Sequence, residues 1–175
     1  MLYLLTGGSG CGKSAYAERL LLTLPAPRYY LAAMIPYGAD GPAKVEKHRR
    51  MREGKGFVSI ERYTDMAGLI LPRRGSALLE CMCNLTANEM FEPTGAGDRA
   101  EEAILRGIDS LICQTDSLIV ITNDVGSAGL TGYGEGTLRY MRTLGRLNRL
   151  LARRADAVAE MAAGMPIWLK GGPEA

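Results

Sequence analysis

The 175-residue chain carries a formal net charge of +2, with 47% hydrophobic and 23% charged residues. That length supports one substantial core and is short for two, and the near-balanced charge offers no general basis for nucleic-acid binding. No apolar run approaches the length that spans a bilayer, and the N-terminal residues lack a basic segment followed by a secretory apolar core, so one cytoplasmic domain over 1–175 is the expectation. Cys11, Cys81, Cys83 and Cys113 form no CxxC pair and have only His48 for company, which favours reduced thiols over a zinc site.

Leu2-Tyr3-Leu4-Leu5 reads as a buried strand, and Gly7-Gly8-Ser9-Gly10-Cys11-Gly12-Lys13-Ser14 follows it in the pattern GxxxxGKS. The segment from Ala15 to Leu24 is rich in helix formers, with Ala17, Leu20, Leu21 and Leu24 on one face. Strand, glycine loop and helix are the context a phosphate loop requires. Glycines let peptide N–H groups curl around phosphate oxygens, and the helix N-terminus adds its dipole and unpaired donors. Lys13 is then placed to reach the β and γ phosphates of a nucleotide, and the Ser14 hydroxyl to ligate Mg²⁺.

Arg28 to Met34 reads as a second strand, which brings Ala32, Ala33 and Met34 near the phosphate loop if the two strands lie close together. Ala43 to Arg52 is a strongly charged helix containing the sole histidine, His48, among Lys44, Lys47, Arg49, Arg50 and Arg52. Those cations favour neutral imidazole, the nucleophilic form, and attract a triphosphate; a solvated face balanced by Glu46 and Glu53 is the competing reading. Phe57 to Glu61 alternates like a short strand, and Met66 to Leu71 suits a short helix. Ser76 to Met82 reads as a buried strand carrying Glu80 near its end, the arrangement in which an acid holds Mg²⁺ beside a phosphate loop.

Asn84 to Phe91 is expected to be helical, and Asp98 to cap a helix reaching about Thr115. Ser117 to Thr122, a continuous β-branched run, belongs at the centre of a parallel sheet, with Asn123-Asp124-Val125-Gly126 at its tip. A glycine-rich connection leads to a helix from Thr137 to Arg154, whose leucine face opposes an arginine face. Ala157 to Ala163 and Met165 to Lys170 are the last strands, the second at an edge because of Pro166. Together these elements describe an α/β, P-loop NTPase-like, three-layer fold with a mostly parallel central sheet and one antiparallel edge strand.

GGSGCGKSAYAE, YLAAMIPY, KVEKHRRMR, GFVSIE, ECMCNLTAN, NDVG and LGRLNRLLARRADAV, taken together, resemble the bifunctional adenosylcobinamide kinase/adenosylcobinamide-phosphate guanylyltransferase family of cobalamin biosynthesis. The resemblance implies phosphorylation of adenosylcobinamide by ATP or GTP, then transfer of GMP from GTP through His48 to adenosylcobinamide phosphate. It also implies a nucleotide site of Gly7 to Ser14, Ala32, Ala33, Met34, Arg49, Arg50, Met51, Arg52, Glu61 and Glu80, and a homotrimer. Glu80 stands where the family usually has Asp, Asp124 where it has Glu, and Ala33 where it has Thr. The alternatives are a phosphate-loop small-molecule kinase without a guanylyl-enzyme step and a nucleotide-binding protein that has lost catalysis.

Overall fold

The computed structural model describes residues 1–36, 46, 50, 54–125 and 132–172. Strand β1 (Leu2–Thr6) leads through the glycine loop into helix α1 (Lys13–Thr23), and β2 (Arg28–Ala32) returns to the sheet. Strands β3 (Phe57–Glu61) and β4 (Gly75–Glu80) flank a single 3-10 turn at Met66–Gly68, in place of the expected short helix to Leu71. Helices α2 (Met82–Phe91) and α3 (Ala100–Gln114) precede β5 (Thr115–Ile121). Helix α4 (Glu135–Arg154) then leads into a hairpin of β6 (Ala157–Ala162) and β7 (Met165–Lys170).

Among the described residues the sheet has seven strands, in the order β3-β2-β4-β5-β1-β6-β7. All pairings are parallel except β6 with β7, so the antiparallel edge strand expected from Pro166 is present. Alternation in the strands sends Tyr3, Leu5, Tyr30, Leu78, Ile119 and Ile121 toward α1, where they pack on Ala17, Leu20 and Leu21. The opposite face, with Leu4, Leu31, Leu79 and Val120, packs on Leu85 of α2, Ile104, Ile108 and Leu111 of α3, and Leu144 and Leu147 of α4. Burial on both faces is why β1, β4 and β5 read as continuous apolar runs.

Several boundaries shift by one or two residues, β4 stopping at Glu80 because Met82 already belongs to α2, and two other differences have local physical reasons. Helix α1 starts at Lys13 because Gly12, with φ 95°, turns the chain directly into the first helical residue. Asp98 does not cap α3: residues Gly97–Arg99 form a 3-10 turn, and the Asp98 carboxylate pairs instead with Arg139 at 2.7 Å. Arg146 likewise pairs with Glu101 at 2.7 Å and Arg154 with Asp109, while Arg142, Arg149 and Arg153 are exposed, so the arginine face of α4 is solvated and tied to the α3 segment at two points. Among the described residues, no helix is long and apolar enough to cross a membrane.

Candidate active site

The nucleotide end of the sheet is set by the carboxyl tips of β1, β4 and β2. Strands β1 and β2 are not neighbours, since β4 and β5 lie between them. Ala32 to Met34 therefore do not meet the phosphate loop by strand adjacency. Helix α1 crosses β5 and β4, and this carries Ser14 over to the tip of β4, where its Oγ donates to Glu80 Oε1 at 2.5 Å. Ala32 is in register with Glu80 on one side and with Glu61 on the other, so the three residues form a row at one level of the sheet. Parallel strands lie about 4.8 Å apart, which makes the row about 10 Å wide.

Gly8, Ser9 and Gly10 are exposed at the crest of the loop, whereas Lys13 is buried at its base. Lys13 Nζ donates to Gly7 O at 2.9 Å, to Gly8 O at 2.6 Å and to Cys11 Sγ at 3.6 Å. The loop is braced from below by the last hairpin: Gly164 N–H donates to Cys11 O at 2.9 Å. The approach is close because the glycines lack side chains; a Cβ on Gly12 would lie 2.9 Å from Gly164 Cα, and one on Gly7 2.7 Å from Met161 O. Conformation and space together exclude larger residues at Gly7 and Gly12.

Several polar side chains that residue pattern alone does not single out hold the strand tips. Tyr30 OH donates to Glu80 Oε2, leaving that carboxylate bonded at both oxygens. Asn88 of α2, almost fully buried, donates to Ala33 O at 2.7 Å and to Tyr63 O at 2.9 Å, which fastens the chain leaving β2 to the chain leaving β3. Asn148 lies in the GRLN stretch of α4. It accepts from Thr122 Oγ1 at 2.7 Å and donates to Asn123 O at 3.1 Å, and so fixes the tip of β5. Tyr63 OH donates to Glu61 Oε2 at 3.0 Å. Most of these partners bridge elements distant in sequence, so finding them requires the strand order.

Of the other expected site residues, Ala33 is fully buried and Met34 half-buried. Arg50 is helical and exposed, with Nε on Glu46 Oε1 at 3.1 Å, one turn earlier, as the solvated-face reading expects. His48, Arg49, Met51 and Arg52 lie outside the described residues.

One and three residues after Glu80, the Cys81 and Cys83 thiols shift each other's titration in opposite directions. The Cys81 S–H bond holds the Cys83 thiol down to about 6 against the opposing effect of burial; the Asn123 N–H, the Tyr140 hydroxyl and the charge of Lys13 act in the same direction. The same bond, with burial, pushes Cys81 up. Burial likewise raises Tyr140, and a Cys83 thiolate adds to that rise. A lowered value means the reactive thiolate is present above about pH 6 and is lost as pH falls through it. Cys81→Ala removes the principal donor, so the Cys83 midpoint is expected to move up toward the ordinary thiol range. Mass spectrometry of the Cys83 peptide after a short iodoacetamide pulse, at pH values on both sides of that midpoint, reads this directly, and an unmoved midpoint refutes it.

A parallel sheet covered on both faces, with a glycine loop between β1 and α1 and an acid at the tip of β4, defines a phosphate-loop nucleotide-binding protein. A solved ATPase domain has the same fold, with a TM-score of 0.51 and 10% identity over 91% of this chain and 68% of that one. More narrowly, residues 3–169 match the cobinamide kinase / cobinamide phosphate guanyltransferase family, and the chain belongs to it. The bifunctional adenosylcobalamin biosynthesis protein CobU of Escherichia coli (strain K12) is 29% identical over 97% of this chain and 100% of its own. Its namesake in Salmonella typhimurium is 28% identical over the same shares. The protein is thus a kinase and guanylyltransferase enzyme of cobalamin biosynthesis.

Proposed function

We propose that the enzyme phosphorylates adenosylcobinamide with ATP or GTP, and then transfers GMP from GTP to the product through a guanylyl-histidine intermediate at His48. The observation that carries the nucleotide part is the convergence of Lys13, Ser14 and Glu80 at the head of α1. In the first reaction the acceptor hydroxyl oxygen attacks the γ-phosphorus, the bond to the β,γ-bridging oxygen breaks, a nucleoside diphosphate leaves and the hydroxyl proton passes to water. In the second, a nitrogen of His48 attacks the α-phosphorus of GTP and pyrophosphate departs. A phosphate oxygen of adenosylcobinamide phosphate then displaces the histidine, giving adenosylcobinamide-GDP.

Peptide N–H groups of Gly7, Gly8, Ser9, Gly10, Cys11 and Gly12 cradle the phosphates, and Lys13 neutralises charge on whichever group is leaving or being transferred. A hydroxyl and a carboxylate are hard oxygen donors of the kind Mg²⁺ takes, so Ser14 and Glu80 fit as its protein ligands, with phosphate oxygens and water completing the shell. Bound there, Mg²⁺ would neutralise charge on the β and γ oxygens. Tyr30 orients Glu80, whose extra methylene relative to Asp makes such a tether useful. Ala32, Ala33, Met34, Glu61 and the Arg49-Arg50-Met51-Arg52 segment complete the nucleotide site, and the working form is a cytoplasmic homotrimer.

The test is incubation with Mg²⁺ and GTP labelled at the α phosphate, alongside an assay of adenosylcobinamide phosphorylation. Acid-labile, base-stable label on the protein is the expected result. Phosphorylation without label would reduce the enzyme to a plain kinase, and neither would make it a binding protein.

A further inference from the structure

Helices α2 and α4 together line an open cleft of roughly 340 Å³, formed by Ala87, Phe91, Gly136, Thr137 and Tyr140. Its lining is largely apolar and aromatic, and its volume is at the lower end for a small-molecule site. Phe91 is 52% exposed at the last turn of α2. It is nonetheless held in place: the Arg139 guanidinium lies over its ring at 5.9 Å, and Asp98 fastens Arg139 at 2.7 Å. An aromatic ring kept in solvent by a cation that is itself anchored is a prepared contact surface.

The inner end of the cleft joins the nucleotide end of the sheet. Tyr140 OH donates to Cys83 O at 3.3 Å, and Cys83 follows Glu80, whose carboxylate meets Ser14. Along α2, Cys83 and Phe91 are about 12 Å apart at 1.5 Å per residue. The cleft therefore runs outward from the phosphate loop by about the reach needed when a reacting hydroxyl sits on a long side chain and the bulk of its molecule stays outside.

We propose that this cleft is the shelf for the apolar, methyl-bearing edge of the acceptor's corrin ring, set so that the side-chain alcohol or its phosphate enters at Tyr140 and reaches the phosphate loop. This rests on the acceptor being a corrinoid, as proposed above. Phe91 and Tyr140 take the hydrophobic edge; Gly136 and Thr137 at the start of α4 leave room for the remainder of the ring in solvent.

Phe91→Ser removes the shelf's main surface and Thr137→Trp fills the cleft; both positions are exposed, so neither change disturbs the core. Adenosylcobinamide binding is measured by equilibrium dialysis through its visible absorbance, with GTP labelling and sedimentation run on the same samples. Each variant should raise the corrinoid Kd about tenfold, the loss of a well-packed aromatic contact. Labelling by α-labelled GTP and the oligomeric state should match wild type. Unchanged corrinoid binding in both variants overturns the proposal, and a shift in sedimentation with unchanged corrinoid binding makes the cleft a contact between copies. Wild-type protein that does not bind adenosylcobinamide overturns the shelf together with the substrate assignment. Binding that the variants weaken, in a protein that transfers no phosphate or GMP, overturns the activity alone.

Discussion

His48→Ala is expected to abolish base-stable labelling by GTP and to lower guanylyl transfer by on the order of 10⁴-fold or more, while adenosylcobinamide phosphorylation stays within about threefold of wild type. The size follows from the role assigned to this side chain: it is the sole histidine and the proposed nucleophile, and removing a nucleophile deletes the intermediate itself. The selectivity follows from the other half of the chemistry, in which the acceptor's hydroxyl attacks the γ-phosphorus and no protein nucleophile takes part. Separate product assays by chromatography distinguish the two activities. Guanylyl transfer that survives in His48→Ala would mean direct attack of the corrinoid phosphate on GTP.

Lys13→Ala is expected to lower both activities together, each by about 10²- to 10³-fold in kcat, the usual effect of deleting one preorganised charge at a phosphoryl centre. Lys13 is only 6% exposed, and its ammonium group is held by Gly7 O and Gly8 O, so it is positioned before any phosphate arrives. The parallel loss is the informative feature. One loop is proposed to hold the transferred γ-phosphate in the first reaction and the leaving pyrophosphate in the second. A variant that loses phosphorylation but keeps full labelling with GTP would show that the two reactions use different phosphate sites. Thermal unfolding should shift down by about 1 kcal/mol in stability, since Gly8 O at the surface can take water but the buried Gly7 O loses its lysine donor.

The alternation and apolar runs of β1, β3, β4 and β5 are legible in the sequence because each strand's pattern is local and its burial covers both faces or one. The phosphate loop is legible for a different reason, since every residue it needs is contiguous. Less local features mislead. Asp98 has the composition of a helix cap, yet Arg139, far along the chain, competes for its carboxylate and a 3-10 turn precedes α3. Met66 to Leu71 has helix-forming residues, but only one turn forms, and Asp65 caps it by accepting from Gly68 N–H. Placing Ala32 near the phosphate loop by neighbouring strands does not survive the strand order. The two are linked instead by the course of α1 across β5 and β4, with Glu80 between them.

By itself the sequence located the phosphate loop: a glycine loop, a lysine and a hydroxyl in fixed succession need only a strand before and a helix after, and both are encoded within the first 24 residues. Glu80 was recognisable as an acid at a strand tip. Only the tertiary structure decided that Ser14 meets it, that Tyr30 holds its second oxygen, that the Gly164 hairpin supports the loop, and that Phe91 and Tyr140 open a cleft beside it. The physical reason is sequence separation. Local propensity and periodicity act over a few residues, whereas these contacts depend on strand order and on the faces that helices present after packing, which no single segment specifies.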